Sequence, residues 1–473
     1  MARRMESFIF AGLVGISLLL SVQAAHTLYL MIYTWDQPPN ESNAAPEHFA
    51  APALSFTAIL PARHEEEVIA TTVDRIVHSN YPMHLLQVLV VCSADDTGTI
   101  AAVRGKIEDL RYEGIDNASL VVFDDQPINK PHGLNCALRQ ARGDVLTIFD
   151  AEDEMHPDIL RVVNTVMVRE RVNVVQSGVQ LMNYSTNWYS TFNVLEYFFW
   201  FKSRLHHHAK HGSIPLGGNT CFFNRKLMEY LGGWDETNLT EDADIGLRVC
   251  AMGEPIRVIY DDRYVTKEET PPTLGSFVRQ RTRWNQGFMQ TLRKGTWKKL
   301  PTRRQRFLAC YTLAFPYAQA MLGVYTPLAV GMMLFLHAPV GVALLSFLPV
   351  LLLAAHFLTA VVGLHEFTEA HGMKPSPALT LKMALTWIPY QFVMAYASVR
   401  ALRRQMAGRG DWEKTQHVGA HRGAGPDRTR PAGTADAFGN PGAVRRSRDP
   451  GAARTADLPA VETPRKAMRS GSS

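Results

Sequence analysis

Cysteine is scarce and scattered: Cys92, Cys136, Cys221, Cys250 and Cys310 are odd in number and never spaced as CxxC. That spacing fits neither a disulfide framework nor a zinc site, and it suits a reducing compartment. Charge of one sign is also lacking, with 49 Lys and Arg against 44 Asp and Glu. No heptad pattern and no internal repeat is visible, which excludes coiled coils and solenoids. No small-residue cleavage site follows the first apolar run, so that run reads as a retained anchor rather than a signal peptide. No regulatory domain is recognisable.

What the chain does have is long apolar stretches. Residues 8–33, 307–336, 338–363 and 383–399 are almost uncharged, and the first three reach the length of about 20 residues that spans a bilayer. The fourth is shorter and suits either a span or an interfacial helix. The formal charge of +5 is unevenly placed. Residues 401–473 hold 14 Lys or Arg and 7 Asp or Glu, which leaves about −2 on the rest. This Gly-, Ala-, Pro- and Arg-rich tail has too little apolar surface to fold, and it suits anionic lipid better than nucleic acid. Basic residues between Arg293 and Arg306 and after residue 399 favour a cytoplasmic placement for both. Arg3 and Arg4 argue for the opposite orientation, and the longer basic segments are given precedence. The N-terminus is then external.

Residues 55–180 alternate β-rich and helical stretches. Ser55–Leu60, Leu86–Val91, Leu120–Phe123, Val145–Phe149 and Val172–Gln176 read as strands, with helices near 65–79, 98–108, 132–141 and 157–171. Such alternation predicts an α/β domain with a parallel sheet covered on both faces. Ligands of such sheets lie beyond the carboxyl ends of the strands. Acidic residues fall at those ends: Glu65, then Asp95 and Asp96, then Asp150, Glu152 and Asp153. Farther along, Leu216–Asn219 and Gly232–Asp235 are glycine turns, Glu241–Met252 is helical, and 274–296 forms a basic helix.

Three motifs carry chemistry. Asp150-Ala151-Glu152-Asp153 follows an apolar strand, and its acids can chelate a hard divalent cation that bridges two phosphates. The bland account is an acid-dressed helix N-terminus. Thr240-Glu241-Asp242 opens a helix, where Thr240 could be an ordinary N-cap. An acid there can equally act as a general base toward a hydroxyl. Gln280, Arg283 and Trp284 stand at i, i+3, i+4, where guanidinium and amide can hold a diphosphate and the indole can floor an acceptor sugar. A membrane-surface helix is the alternative, with Arg279 or Arg281 toward headgroups. His206, His207, His208 and His211 read as a polar, partly exposed helix face, not a metal site.

With these motifs in this order, the chain resembles the membrane-bound family 2 glycosyltransferases, the group with cellulose-synthase-like and hyaluronan-synthase-like enzymes. The resemblance covers residues 54–300. It rests on Leu60–Glu65, Lys130-Pro131 with Asn135, Asp150–Asp153, Leu216–Asn219, Gly232–Asp235, Thr240–Asp242 and Gln280–Trp284, with Trp412–Thr415 trailing. It implies a GT-A-like, Rossmann-like fold with transmembrane helices. It implies Asp242 as catalytic base with Glu241 in support, and Asp150 and Glu152, joined by Asp153, on Mg²⁺ or Mn²⁺. Glu65 and Lys130 would lie by the nucleotide, and Gln280, Arg283 and Trp284 would form the QxxRW site for the donor pyrophosphate. Two positions depart from the pattern. The DxD is Asp-Ala-Glu, and the usual Asp-Asp pair after the second strand falls at Cys92 and Ser93, leaving Asp95 and Asp96 to take its place.

The expected protein has an anchor in residues 1–40, a transferase domain in 41–300, helices in 301–400 and a basic tail in 401–473. It sits in the cell membrane with the catalytic domain cytoplasmic. It moves a hexose from a UDP-sugar to a carbohydrate or lipid acceptor and makes a β-linkage. Three or four spans are few for a polymer channel, so processive synthesis would call for a homo-oligomer or an accessory export protein. Non-processive glycosylation of a membrane lipid or polyprenyl phosphate is the alternative enzyme. A non-catalytic nucleotide-sugar-binding scaffold is the alternative of another class, but it would be expected to lose the acids or the Gln/Arg/Trp set.

Overall fold

The computed structural model describes residues 2–35, 44–336 and 339–413. A long helix α1 (Ala2–Ile32) precedes the first half of an α/β domain. That half runs β1 (Phe56–Pro61), α2 (Ile69–Val77), β2 (Leu86–Ser93), α3 (Thr97–Tyr112), β3 (Ala118–Phe123), α4 (Lys130–Leu138), β4 (Val145–Ile148), α5 (Ile159–Glu170) and β5 (Val174–Ser177). The second half begins β6 (Val179–Leu181), α6 (Ser190–Phe199), a π-turn (Trp200–Arg204) and α7 (Leu205–Lys210). It continues β7 (Cys221–Asn224), α8 (Arg225–Leu231), α9 (Glu241–Ala251), β8 (Ile256–Ile259), β9 (Thr266–Glu268) and α10 (Leu274–Lys294). Four helices follow: α11 (Arg303–Leu313), α12 (Phe315–Leu336), α13 (Val340–Ala370) and α14 (Pro377–Met406).

The sheet has the order β3-β2-β1-β4-β7-β5-β8 and is parallel except for β7. Side chains alternate across each strand. In β1, Phe56, Ala58 and Leu60 join one apolar layer with α2, α3 and α5, while Ile59 joins the other with α4 and α6. Both faces are thus covered, as hydrophobic strands require. The antiparallel β7 was not expected. Four residues with no hairpin partner nearby in sequence give little periodicity to read, and β7 inserts between strands 70 and 40 residues or more away.

Caps fix the helices that position the site. The Asn129 side chain accepts from His132 N at 2.9 Å to start α4, and Thr273 accepts from Ser276 N at 3.2 Å to start α10. Gly295, with φ 78°, ends α10 in the left-handed region.

Among the described residues, two helical stretches, Glu6–Ile32 and Val340–Ala370, are long and apolar enough to cross a membrane. The apolar run 307–336 is not one rod: α11 and α12 meet at a 46° bend. The run 383–399 lies inside α14, which stays against the α/β domain. Tyr390 donates to Glu196 at 2.9 Å, Asn285 to Ser398 at 2.9 Å, and Arg404 to Gln286 at 3.1 Å. Most of the basic tail, with Lys414 and Thr415 of the trailing motif, lies outside the described residues.

Candidate active site

The site forms where the carboxyl ends of β1, β2 and β4 meet the N-termini of α4 and α9 and one face of α10. A cavity of about 910 Å³ occupies this junction. Glu65, Lys130, Asp150 and Glu152 line its sheet side, and Glu241, Asp242, Gln280, Arg283 and Trp284 line the opposite side. Acids from distant stretches and the cationic helix therefore face one space.

Lys130 is the hub. Its Nζ donates to Asp150 Oδ1 at 2.5 Å and to the Gly218 carbonyl at 3.1 Å. A Cβ on Gly218 would stand 3.2 Å from Asp242 Oδ2 and 3.8 Å from Lys130 Nζ, so the bare backbone lets lysine and acid approach. Burial alone would lower the Lys130 pKa, but the surrounding Asp150, Glu241 and Asp242 outweigh it and raise it. Burial raises the Asp242 pKa, against the Ala243 N–H that donates to it at 2.8 Å and the charges of Lys130 and Arg283. Glu241 is raised by burial and then by Asp242 beside it. Burial lowers Arg283, partly offset by Glu241, Asp242 and Asp150. The acids and cations thus offset each other's burial across one cavity.

The Thr240–Asp242 turn and α10 are bolted together. Asn238 Nδ2 donates to Thr291 Oγ1 at 2.8 Å, and Leu239 N donates to Gln290 Oε1 at 2.9 Å. Thr240 packs directly on Gly287. Gln280 is buried and lines the cavity, and among the described residues its Oε1 has no hydrogen-bond partner. The Arg283 guanidinium lies 4.3 Å from the centre of the Trp412 ring. Trp412 is held by its neighbours: Glu413 accepts from Arg400 at 2.6 and 2.7 Å, and Asp411 from Arg404 at 3.1 Å.

Several expectations need correction. Asp95 is exposed and pairs with Arg63 at 2.9 Å, outside the cavity wall. Asp96 is buried as the N-cap of α3, accepting from His64 N at 2.6 Å and Thr99 N at 3.3 Å. The wall at the end of β2 is Ser93. Asp153 turns inward: it accepts from Asp150 N at 2.8 Å and from Asn219 Nδ2 at 3.0 Å, and burial with nearby Glu268 raises its pKa far above the usual range. Arg281 does not face headgroups but pairs with Glu196 at 2.6 Å and lies against Trp284. His206, His207 and His208 are buried rather than partly exposed. Asn219 of the Leu216–Asn219 turn lines the cavity, and so do Glu196, Tyr197 and Arg204, which were not anticipated. A buried-looking helix carrying isolated charges, at Glu196 and Arg204, was the available signal.

Asp150 and Glu152 offer hard oxygens on one wall, which suits a divalent cation whose remaining ligands come from a diphosphate. Among the described residues, three metal-type ligands converge only at Asp125, His132 and Cys136. There His132 already bridges Asp125 and Glu236 at 3.0 Å each, and Arg139 donates to Cys136 at 3.1 Å. That cluster reads as loop packing.

Residues 52–287 match the family model described as glycosyltransferase like family 2. The chain carries a family 2 glycosyltransferase domain, and the protein is a glycosyltransferase. It is 26% identical over 382 residues to the probable glycosyltransferase YdaM of Bacillus subtilis, covering 77% of this chain and 87% of that protein. It is 28% identical over 256 residues to a beta-monoglucosyldiacylglycerol synthase of Trichormus variabilis, covering 52% of each. The match therefore spans about half the length of that synthase. Mannosyltransferase PcManGT from Pyrobaculum calidifontis, solved in complex with GDP-Man and Mn²⁺, has a TM-score of 0.53 at 22% identity. That alignment covers 84% of this chain and 99% of the other, and the likeness bears out the GT-A-like fold.

Proposed function

We propose that this glycosyltransferase is membrane-bound and inverting, and that it moves a hexose from a UDP-sugar to an acceptor hydroxyl with formation of a β-linkage. One observation carries the reading: Lys130, Asp150, Asp242 and Arg283 face a single cavity that continues between the apolar helices. The acceptor oxygen attacks the anomeric carbon, Asp242 takes its proton, and the bond to the nucleoside diphosphate breaks. Glu241 supports the same pocket beside Asp242. Lys130, Gln280 and Arg283 hold the diphosphate and stabilise the charge that develops on it. Asp150 and Glu152 would hold Mg²⁺ or Mn²⁺, which supplies further charge neutralisation on the phosphates.

Residues 1–40 serve as anchor, 41–300 as the catalytic domain, and 301–400 as membrane and interfacial helices, with the catalytic domain on the cytoplasmic side. The product is a glycan or a glycolipid. Glycosylation of a membrane lipid in a single transfer is favoured by the reach of the cavity to Thr27, Phe315, Leu353 and Met394, on α1, α12, α13 and α14. The beta-monoglucosyldiacylglycerol synthase relative supports the same acceptor class. A panel of UDP-sugars and GDP-mannose, with and without Mg²⁺ or Mn²⁺, tests the proposal by nucleotide release and product mass. Release at background with every donor would leave only a binding scaffold.

A further inference from the structure

A half-buried arginine, with no hydrogen-bond or ion-pair partner among the described residues, stands at the end of the cavity nearest the apolar helices. Arg204 closes the π-turn, a wider helical turn that recurs at functional sites. Its Nε is buried and unpartnered, and among the described residues nothing hydrogen-bonds or ion-pairs with its guanidinium. Glu196, the carboxylate that influences it most, is already engaged: Arg281 holds one oxygen at 2.6 Å and Tyr390 donates to the other at 2.9 Å. His208, 2% exposed, also lines the cavity, and among the described residues its Nδ1 has no hydrogen-bond partner. Burial pushes the His208 pKa down to about 3, with His207 and Arg204 adding to it, so the ring is neutral and carries one N–H.

The position matters as much as the charge. Thr27 near the end of α1 and Tyr311 beside the α11–α12 bend line this part of the cavity. A second cavity, about 130 Å³, shares Thr27, Phe315 and Leu353 and extends between α1, α12, α13 and α14. The arrangement puts an unsatisfied cation where a headgroup would meet its apolar chain. Its Nε is shut off from solvent while the side chain lines the cavity, and an arginine fork matches a phosphate bidentately.

We propose that Arg204 and His208 form a phosphate subsite for a phosphate-bearing membrane lipid, the acceptor, whose headgroup hydroxyl reaches Asp242. This rests on the transferase reading and names its acceptor class. The transfer step is unchanged: the hydroxyl oxygen bonds to the anomeric carbon, its proton goes to Asp242, and the nucleoside diphosphate leaves.

Thermal unfolding of the full-length protein in dodecyl maltoside tests the subsite without a donor. Dodecyl phosphate should raise the melting temperature, whereas dodecyl β-glucoside and inorganic phosphate at equal concentration should not. Arg204→Gln should abolish that rise and Arg204→Lys should retain part of it. Equal effects of phosphate and glucoside amphiphiles in the wild type would overturn the proposal even if Arg204→Gln failed to fold. An equal effect of inorganic phosphate would reduce the subsite to a free-anion site and overturn the lipid assignment. In transfer assays, Arg204→Gln should raise KM for a phosphate-bearing lipid acceptor on the order of 10–100-fold, the value of a charge-assisted bond. A neutral glycolipid should show a much smaller change, and equal changes would contradict the subsite. Nucleotide release by the wild type, measured apart from these shifts, tests the transferase reading by itself.

Discussion

Gly287→Ala should push the acidic turn away from the cationic helix without altering the identity of any proposed catalytic side chain. A Cβ there would stand 2.5 Å from Thr240 Oγ1 and Cγ2 and 2.7 Å from Thr240 N. Carbon contacts settle at about 3.5–4.0 Å, so one side must retreat by about 1 Å. The backbone nitrogen cannot rotate away, and the turn is also tied to α10 by Asn238 and Leu239. Overpacking costs about 1–3 kcal/mol, and the helical Gly→Ala change returns about 1 kcal/mol. The net loss of stability is therefore modest. A displacement of about 1 Å between reacting groups costs roughly 100-fold in rate. Steady-state transfer assays beside thermal unfolding should show a large fall in kcat with a small fall in Tm. Gly105→Ala, in α3 with nothing within 4 Å of the added carbon, is the control and should keep full activity. A Gly287→Ala enzyme with wild-type kcat would refute the claim that this contact sets the geometry of the site.

Lys130→Gln should lower transfer and move the acid limb of the pH–rate profile. The Asp242 pKa is already raised by burial, so activity falls as pH drops through that value; Lys130 opposes the rise, and its loss should push the limb to higher pH. A limb that stays put or moves down would contradict Asp242 as the base beside Lys130. Trp412→Ala should weaken donor binding by about 0.5–2 kcal/mol, the range of a cation–π contact, and Trp412→Phe should recover most of it. Isothermal titration with the nucleoside diphosphate reads both variants, and unchanged affinity in the alanine variant would remove Trp412 from the donor site.

The first five strands and their helices were readable because each alternates with its neighbour and ends in a recognisable break. The β7 strand was not, since its partners Val145–Thr147 and Val174–Gln176 are remote and its own four residues show no period. Asp150 and Asp242 stood out because they follow an apolar strand and a glycine turn. Asp96 carried the same signal and means something else: a carboxylate just before a helix is also the standard N-cap, and only the Thr99 bond tells the two apart. Asp153 was indistinguishable from Asp150 by position, yet one turn of backbone sends it into the core. Arg204 and Glu196 are not legible in the sequence because they sit among aromatics, and Arg204 closes a π-turn that no periodicity signals.

The most direct test of the central claim is Asp242→Asn, with donor affinity and sugar transfer measured on one preparation. The account predicts near-wild-type affinity for the nucleoside diphosphate and a fall in kcat of about 10²–10⁴-fold, the contribution of a general base. Transfer at the wild-type rate, or a loss of donor affinity that matches the loss of rate, would contradict it.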